Sequence, residues 1–242
     1  MANLKELRNR ITSVGSTMQI TSAMKMVSAA KLKRAQDAIT QMRPYSVKMS
    51  GILANLSDDL AALENPYTTK REENNVLFVV ITSNRGLCGA FNANVIKKTQ
   101  QIILNEYSNS NCFVTTIGKK AHDVFKKTDW LVSESQLSEE HNEFWSEVTF
   151  ENASEIAEEL MGVFAEEKFD KVVLVYNQFK NAASQILTAE QMLPIQPVNN
   201  DDTKSNGEYI FQPSKSDILA GLVPTALKTQ LYKALLDSQA SE

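Results

Sequence analysis

Between Leu4 and Met42 the chain steps alternately by three and four residues through Leu4, Leu7, Ile11, Val14, Met18, Thr21, Lys25, Ser28, Leu32, Ala35, Ile39 and Met42. The first five of these and the last four are apolar. That is a heptad seam, the pattern of a helix lying along another helix on a narrow stripe. Gly15 is the one glycine in the stretch, and no proline comes before Pro44. In the middle, Thr21 to Ala30, most residues are small or are methionines, with Lys25 and Val27 among them, and the seam slips onto Ile20, Met24 and Val27. Small side chains allow close approach, and methionine adapts to a surface that changes.

Helical spacing continues after Pro44 at Val47, Ile52, Leu53, Leu56, Leu60 and Leu63. Pro44 removes one backbone donor and crowds the turn before it, so it is expected to kink this helix rather than end it. Asn65-Pro66 is the firm stop. Some 60 residues at about 1.5 Å each reach about 90 Å, more than a small domain can cover, so part of the helix must project.

The period then changes. Val76 to Ile81 is a continuous apolar run, expected as a strand buried on both faces. Asn94–Glu106, Lys119–Lys127 and Glu151–Glu167 have helical spacing; Cys112–Ile117, Lys171–Tyr176 and Ser184–Thr188 read as further strands. Leu131 to Trp145 is ambiguous, and Tyr209 to Phe211 is a short strand or a packed corner. Strands alternating with helices predict an α/β domain on a mainly parallel sheet. The pattern turns helical again at Leu219, Val223, Leu227, Leu231 and Leu235, with Gly221 and Pro224 expected to bend or interrupt its first turns. The organisation predicted is a shaft helix over 1–65, a Rossmann-like α/β domain over 75–212 and a second shaft helix over 214–242. The simplest way to bury both seams is an antiparallel coiled coil, with Ala226 and Leu227 placed opposite Ile39.

Charge divides the chain. The net charge is −4, from 25 basic and 29 acidic residues, yet Lys5, Arg8, Arg10, Lys25, Lys31, Lys33 and Arg34 make the first helix basic. Ser133 to Asp170 carries twelve acidic residues against Lys168. Distinct partners at the two ends follow from this asymmetry. The acidic total argues against a dedicated nucleic-acid binder. No window reaches the 18 apolar residues of a membrane span. Cys88 and Cys112 form no CxxC and are expected as reduced, buried thiols.

Candidate chemistry centres on Arg85-Gly86-Leu87-Cys88-Gly89, between a strand and a helix, where α/β proteins hold phosphates. It is neither GxGxxG nor GxxxxGK[ST], and Gly118-Lys119-Lys120 lacks the upstream glycine. A tight turn is the plainer reading. Cys88 as a nucleophile needs a base, and the two histidines, His122 and His141, lie in no motif. Three readings stand on the residues: a shaft that engages partner helices, a structural coiled-coil adaptor dimerising through Leu4–Met18, and a small α/β phosphate-binding enzyme with a dimerisation arm.

Several pieces fall in one order along the chain: Leu-Lys-Glu-Leu-Arg-Asn-Arg-Ile-Thr-Ser-Val at 4–14, and Gln-Ile-Thr-Ser-Ala-Met-Lys-Met-Val-Ser-Ala-Ala-Lys-Leu at 19–32. Arg43-Pro44-Tyr45, Thr-Ser-Asn-Arg-Gly-Leu-Cys-Gly-Ala-Phe-Asn at 82–92 and Leu193-Pro194 follow. Together they resemble the gamma-subunit family of rotary F-type ATP synthases. The resemblance implies the same antiparallel coiled coil with an inserted Rossmann-like domain, and a rotor with no catalytic, metal or cofactor-binding residues of its own. It implies as partners the alpha and beta subunits, the epsilon subunit and the c-ring, with no nucleic acid. It also implies a peripheral place on the cytoplasmic face of the bacterial inner membrane, and coupling of proton-driven rotation to ATP synthesis. By the same resemblance Met24, Lys25, Lys31 and Lys33 touch the catalytic subunits, while Tyr209 and Phe211 lie near the ring and epsilon. In the family the second shaft helix continues past the Leu-Leu-Asp-Ser-Gln-Ala-Ser-Glu of 235–242.

Overall fold

The first helix, α1, runs unbroken from Leu4 to Asn55, 52 residues, with Pro44 inside it. The expectation that Pro44 would not end the helix holds. These coordinates are a computed structural model, and they describe residues 3–55, 65–133, 135, 137–138, 141–196 and 215–242. The expected stop at Asn65-Pro66 is approached through residues outside that set.

Among the described residues four strands form one sheet: β1 (Asn75–Ile81), β2 (Asn111–Ile117), β3 (Lys171–Asn181) and β4 (Ser184–Leu193), in the order β2-β1-β3-β4. β1 pairs in parallel with both β2 and β3, and β4 closes the far edge antiparallel to β3. The mainly parallel sheet is as expected. β3 and β4 run longer than their apolar runs because they form a hairpin. Asn181 Oδ1 organises its turn, accepting from the backbone N–H of Ala183 and Ser184.

Both faces of β1 are covered. Leu77, Val79 and Ile81 point into the larger core, and Val76, Phe78 and Val80 into the smaller one. The smaller core is sealed by α2 (Phe91–Asn105) through Val95, Ile102 and Ile103, and by α3 (Lys119–Phe125) through Ala121 and Phe125. α4 (Phe150–Ala165) covers the other face with Ile156, Leu160, Val163 and Phe164, as its periodicity predicts. Thr149 caps α4, its hydroxyl accepting from Asn152 N–H at 3.3 Å. Leu131 to Trp145 resolves, among its described residues, into a bridge from Leu131 to Val114 and a 3-10 turn at Asn142–Ser146.

The last helix, α5 (Lys215–Ser241), continues through Gly221 and Pro224 without interruption. It departs from expectation in its packing. Its four-residue stripe, Leu219, Val223, Leu227, Leu231 and Leu235, is spent mainly on the sheet and α4 rather than on α1. α1 lies outside it: Ile52 and Leu53 rest on the larger core, and Ala35 and Ile39 pack with Leu236, Ala240 and Phe179. The two helices are antiparallel, but the register is not the one expected from the seams. Ile39 meets Leu236 and Ala240, several turns further along α5 than Ala226 and Leu227. The reason is that the sheet claims the leucine stripe of α5. Only the residues on its opposite side remain for α1.

Gly118 joins β2 to α3 with φ near 121°, and a Cβ there would lie 1.9 Å from the carbonyl oxygen of Thr82. Thr82 is held in place, since its hydroxyl donates to Gly118 O and accepts from Ala121 N–H. We expect Gly118→Ala to lose about 3 kcal/mol or more of stability, from a left-handed backbone combined with a main-chain clash. Urea denaturation checks this; a midpoint matching the parent would contradict the geometry.

Candidate functional site

The register leaves the amino-terminal half of α1 bare. From Asn3 to Lys31 every residue except the half-buried Gly15 is exposed, and cover begins at Leu32 and Ala35. Leu4 is 73%, Val14 62% and Val27 57% exposed, with Ile11, Met18, Ile20, Met24 and Met26 similarly open. An apolar stripe of this length, flanked by cations, is built for contact rather than for solvent. Its threonines bond back along the helix: Thr12 to Arg8 O, Thr17 to Ser13 O and Thr21 to Thr17 O. Such bonds satisfy a hydroxyl that would otherwise need water.

Met24, Lys25 and Lys31 all stand on this bare stretch. Lys33 is exposed too, but its ammonium is engaged by Asp37 of the same helix at 2.7 Å. Asn177 donates to Phe91 O and accepts from Ser241 Oγ, which puts the 82–92 loop near the end of α5. Tyr209 and Phe211 lie outside the described residues.

The 82–92 loop is closed in part by its own polar groups, while Asn84 donates to Asn142 O and accepts from Lys119 N–H. Asn92 Oδ1 accepts from Ser83 N–H at 2.9 Å, and its amide donates to Ser83 Oγ and Cys88 Sγ. Ser83 Oγ donates to Arg85 O. Leu87 adopts φ 67° and is 95% exposed at the tip, and Gly89 adopts φ 60°. Asn177 on β3 donates to Phe91 O, so the first turn of α2 is fastened to the sheet. This is the tight turn of the plainer reading, closed by Asn92. The cysteines correct an expectation: both are half-buried rather than buried. Partial burial pushes the Cys112 thiol above its ordinary pKa.

A cavity of about 320 Å³ opens elsewhere, between α1, β4 and α5, with Met49, Leu53, Met192 and Leu227 on its walls. Glu190 at its rim accepts from Tyr176 Oη at 2.8 Å and from Gln230 Nε2. Burial, reinforced by Glu190, raises the Tyr176 phenol far above its ordinary value, so it stays a donor. His141 is pushed down by burial, with Glu159 opposing.

The family model described as ATP synthase matches residues 3–242. The ATP synthase gamma chain of Christiangramia forsetii is 56% identical over 245 residues, covering 100% of this chain and 82% of that one. The ATP synthase gamma chain of Flavobacterium johnsoniae is 54% identical over 243 residues, with the same coverage. The chain belongs to the ATP synthase gamma-chain family. Among solved structures, the central stalk and c-ring assembly of the Tetrahymena thermophila mitochondrial ATP synthase contains a chain similar to this one. It has a TM-score of 0.65 and 26% identity over 92% of this chain and 93% of that chain. The fold class expected from the sequence, an α/β body with long helices at both ends, is the fold of that central stalk. No helix among the described residues is long and apolar enough to cross a membrane.

One contact between the two long helices escaped the sequence. Arg43 on α1 reaches Asp237 on α5 at 3.1 Å, although 194 residues separate them. Arg43 was visible only as part of the Arg43-Pro44-Tyr45 motif, and nothing in the sequence signalled Asp237 as its partner.

Proposed function

We propose that this chain is the central-stalk rotor subunit of an F-type ATP synthase, turning inside a hexamer of alpha and beta subunits and gripping a c-ring at its other end. The observation that carries the reading is the bare half of α1. About 28 residues at about 1.5 Å each form a rod of about 40 Å, held only at its base. An apolar, methionine-rich stripe among cations suits a shaft that meets three similar catalytic interfaces in turn. The rotor does no bond-making. Its asymmetry presents a different face to each catalytic site, and so sets which site binds, reacts or releases.

Within this reading Met24 and Lys25 slide against the catalytic subunits, Lys31 and Lys33 lie at the mouth of the hexamer, and Tyr209 and Phe211 face the ring and the epsilon subunit. The complex sits on the cytoplasmic face of the inner membrane, and this chain is peripheral to it. The 1–65, 75–212 and 214–242 segments serve as shaft, body and second shaft. Reconstitution with alpha and beta subunits tests the assignment: the chain should co-purify with the hexamer and raise its ATP hydrolysis. Met24→Lys adds a second long cation beside Lys25 on the sliding face. The expected outcome is normal assembly with proton pumping per ATP reduced by about twofold or more. A hexamer that neither binds the chain nor responds to it rules the rotor out.

A further inference from the structure

α1 leaves the body at a single place, and that place is built differently from the rest of the α1–α5 contact. Its apolar part is small: Ala35, Ile39, Leu236, Ala240 and Phe179. In its midst lies Asp237, fully buried. Its Oδ1 accepts from Arg43 at 3.1 Å and from the backbone N–H of Phe179 at 3.3 Å. The same guanidinium donates to the carbonyl of Phe179. One arginine on the shaft thus grips a carboxylate on α5 and the main chain of β3 together. The last turn of α5 is fastened to the hairpin as well, since Ser241 Oγ donates to Asn177 O and Gln185 donates to Ser241 O.

This pair is not a cheap source of stability, because Asp237 is fully buried while the Arg43 side chain is 42% exposed. Taking the carboxylate out of water costs several kcal/mol, and an arginine that stays partly in water offsets less of that cost. Burial holds the Asp237 carboxyl above its ordinary pKa in spite of Arg43, and Asp237 Oδ2 has no hydrogen-bond partner among the described residues. What a directional pair adds is register. Apolar contact is non-directional, so two helices held only by small side chains can creep or roll past one another. Pro44 lies next to Arg43 inside α1, where the helix lacks one of its own hydrogen bonds. The grip sits beside that turn.

We propose that Arg43 and Asp237 form a torque-bearing lock, positioning residues that stop the shaft from slipping against the body when the rotor works under load. The inference rests on the rotor reading above. Without the lock, the shaft yields as the opposing load grows, and hydrolysis proceeds with less proton movement. With it, turning of the shaft is delivered to the body through α5 and β3 at once.

The test uses the assembled membrane complex with this chain as its rotor. R43M/D237L replaces the pair by apolar side chains of similar size, and D237N keeps the shape and removes the charge. ATP-driven proton pumping and ATP hydrolysis are measured in the same vesicles while the opposing proton gradient is raised stepwise, and the melting temperature of each chain is recorded. The expected result is a double variant that melts at or above the parent, couples like the parent at low load, and falls by at least about threefold in protons per ATP at high load. D237N should fall in the same direction by less. A ratio equal to the parent at every load overturns the lock. So does a load-independent loss accompanied by a lower melting temperature, because that marks a pair that only holds the fold. If the parent chain itself supports no ATP-driven pumping, the rotor reading fails, and the lock fails with it.

Discussion

Val79→Asp should unfold the body. Val79 is fully buried at the centre of β1, level with Thr115 of β2 and Leu174 of β3, and its side chain enters the larger core. The residues that meet that core from the helices are apolar, among them Leu160, Phe164, Leu227 and Leu231. A carboxylate there lies among apolar side chains. Burying it uncompensated costs several kcal/mol, and protonating it to avoid the charge still strands a polar group. A domain of ordinary size has about 5–15 kcal/mol to lose, so one such group removes most of the stability. Circular dichroism on heating decides the matter. A variant that melts within about a degree of the parent would contradict the placement of β1.

Hydrogen exchange should divide α1 into two parts, with amides between Leu4 and Lys31 exchanging at least about a hundredfold faster than those around Ile39 and Met49. Ile39 is 1% and Met49 9% exposed, so their turns open only with the core. The bare stretch has no such neighbours. It keeps its helix through its own hydrogen bonds, and helices without tertiary cover are marginal in water. Gly15, with nothing within 4 Å of where a Cβ would stand, gains no packing in return for its flexibility. At high concentration the exposed stripe should self-associate and slow the exchange. A supplied alpha/beta hexamer should slow it more. Strong protection of amides 4–18 in the dilute monomer would show that α1 is stable without a partner, and the reading of its face as a contact surface would lose its physical basis.

The two predictions concern opposite ends of what a one-dimensional pattern can carry. β1 was legible because six apolar residues in succession, bounded by polar ones, have few other places to go. α1 was legible through Pro44 because its heptad steps continue on both sides of the proline. The 82–92 loop was legible as a turn, but its closure by Asn92 was not. A side-chain amide reaching back nine residues to Ser83 leaves no periodic trace. The candidate contact residues fared likewise. Exposure of Met24, Lys25 and Lys31 came with the shifted register rather than from the seam, and the capture of Lys33 by Asp37 depends on a particular rotamer pair.

By itself the sequence determined the elements, their order, the α/β class and the surplus of helix at the amino end, because each of these is set by local spacing and burial period. Only the tertiary structure decided what α5 packs against. Its leucine stripe suits a partner helix and a sheet equally well, and in the fold it joins the core shared by the sheet and α4. α1 is left with the opposite side of α5, the register shifts toward the end of the chain, and Arg43 comes to rest on Asp237. That pairing joins residues far apart in sequence across three elements, and no spacing rule reaches so far.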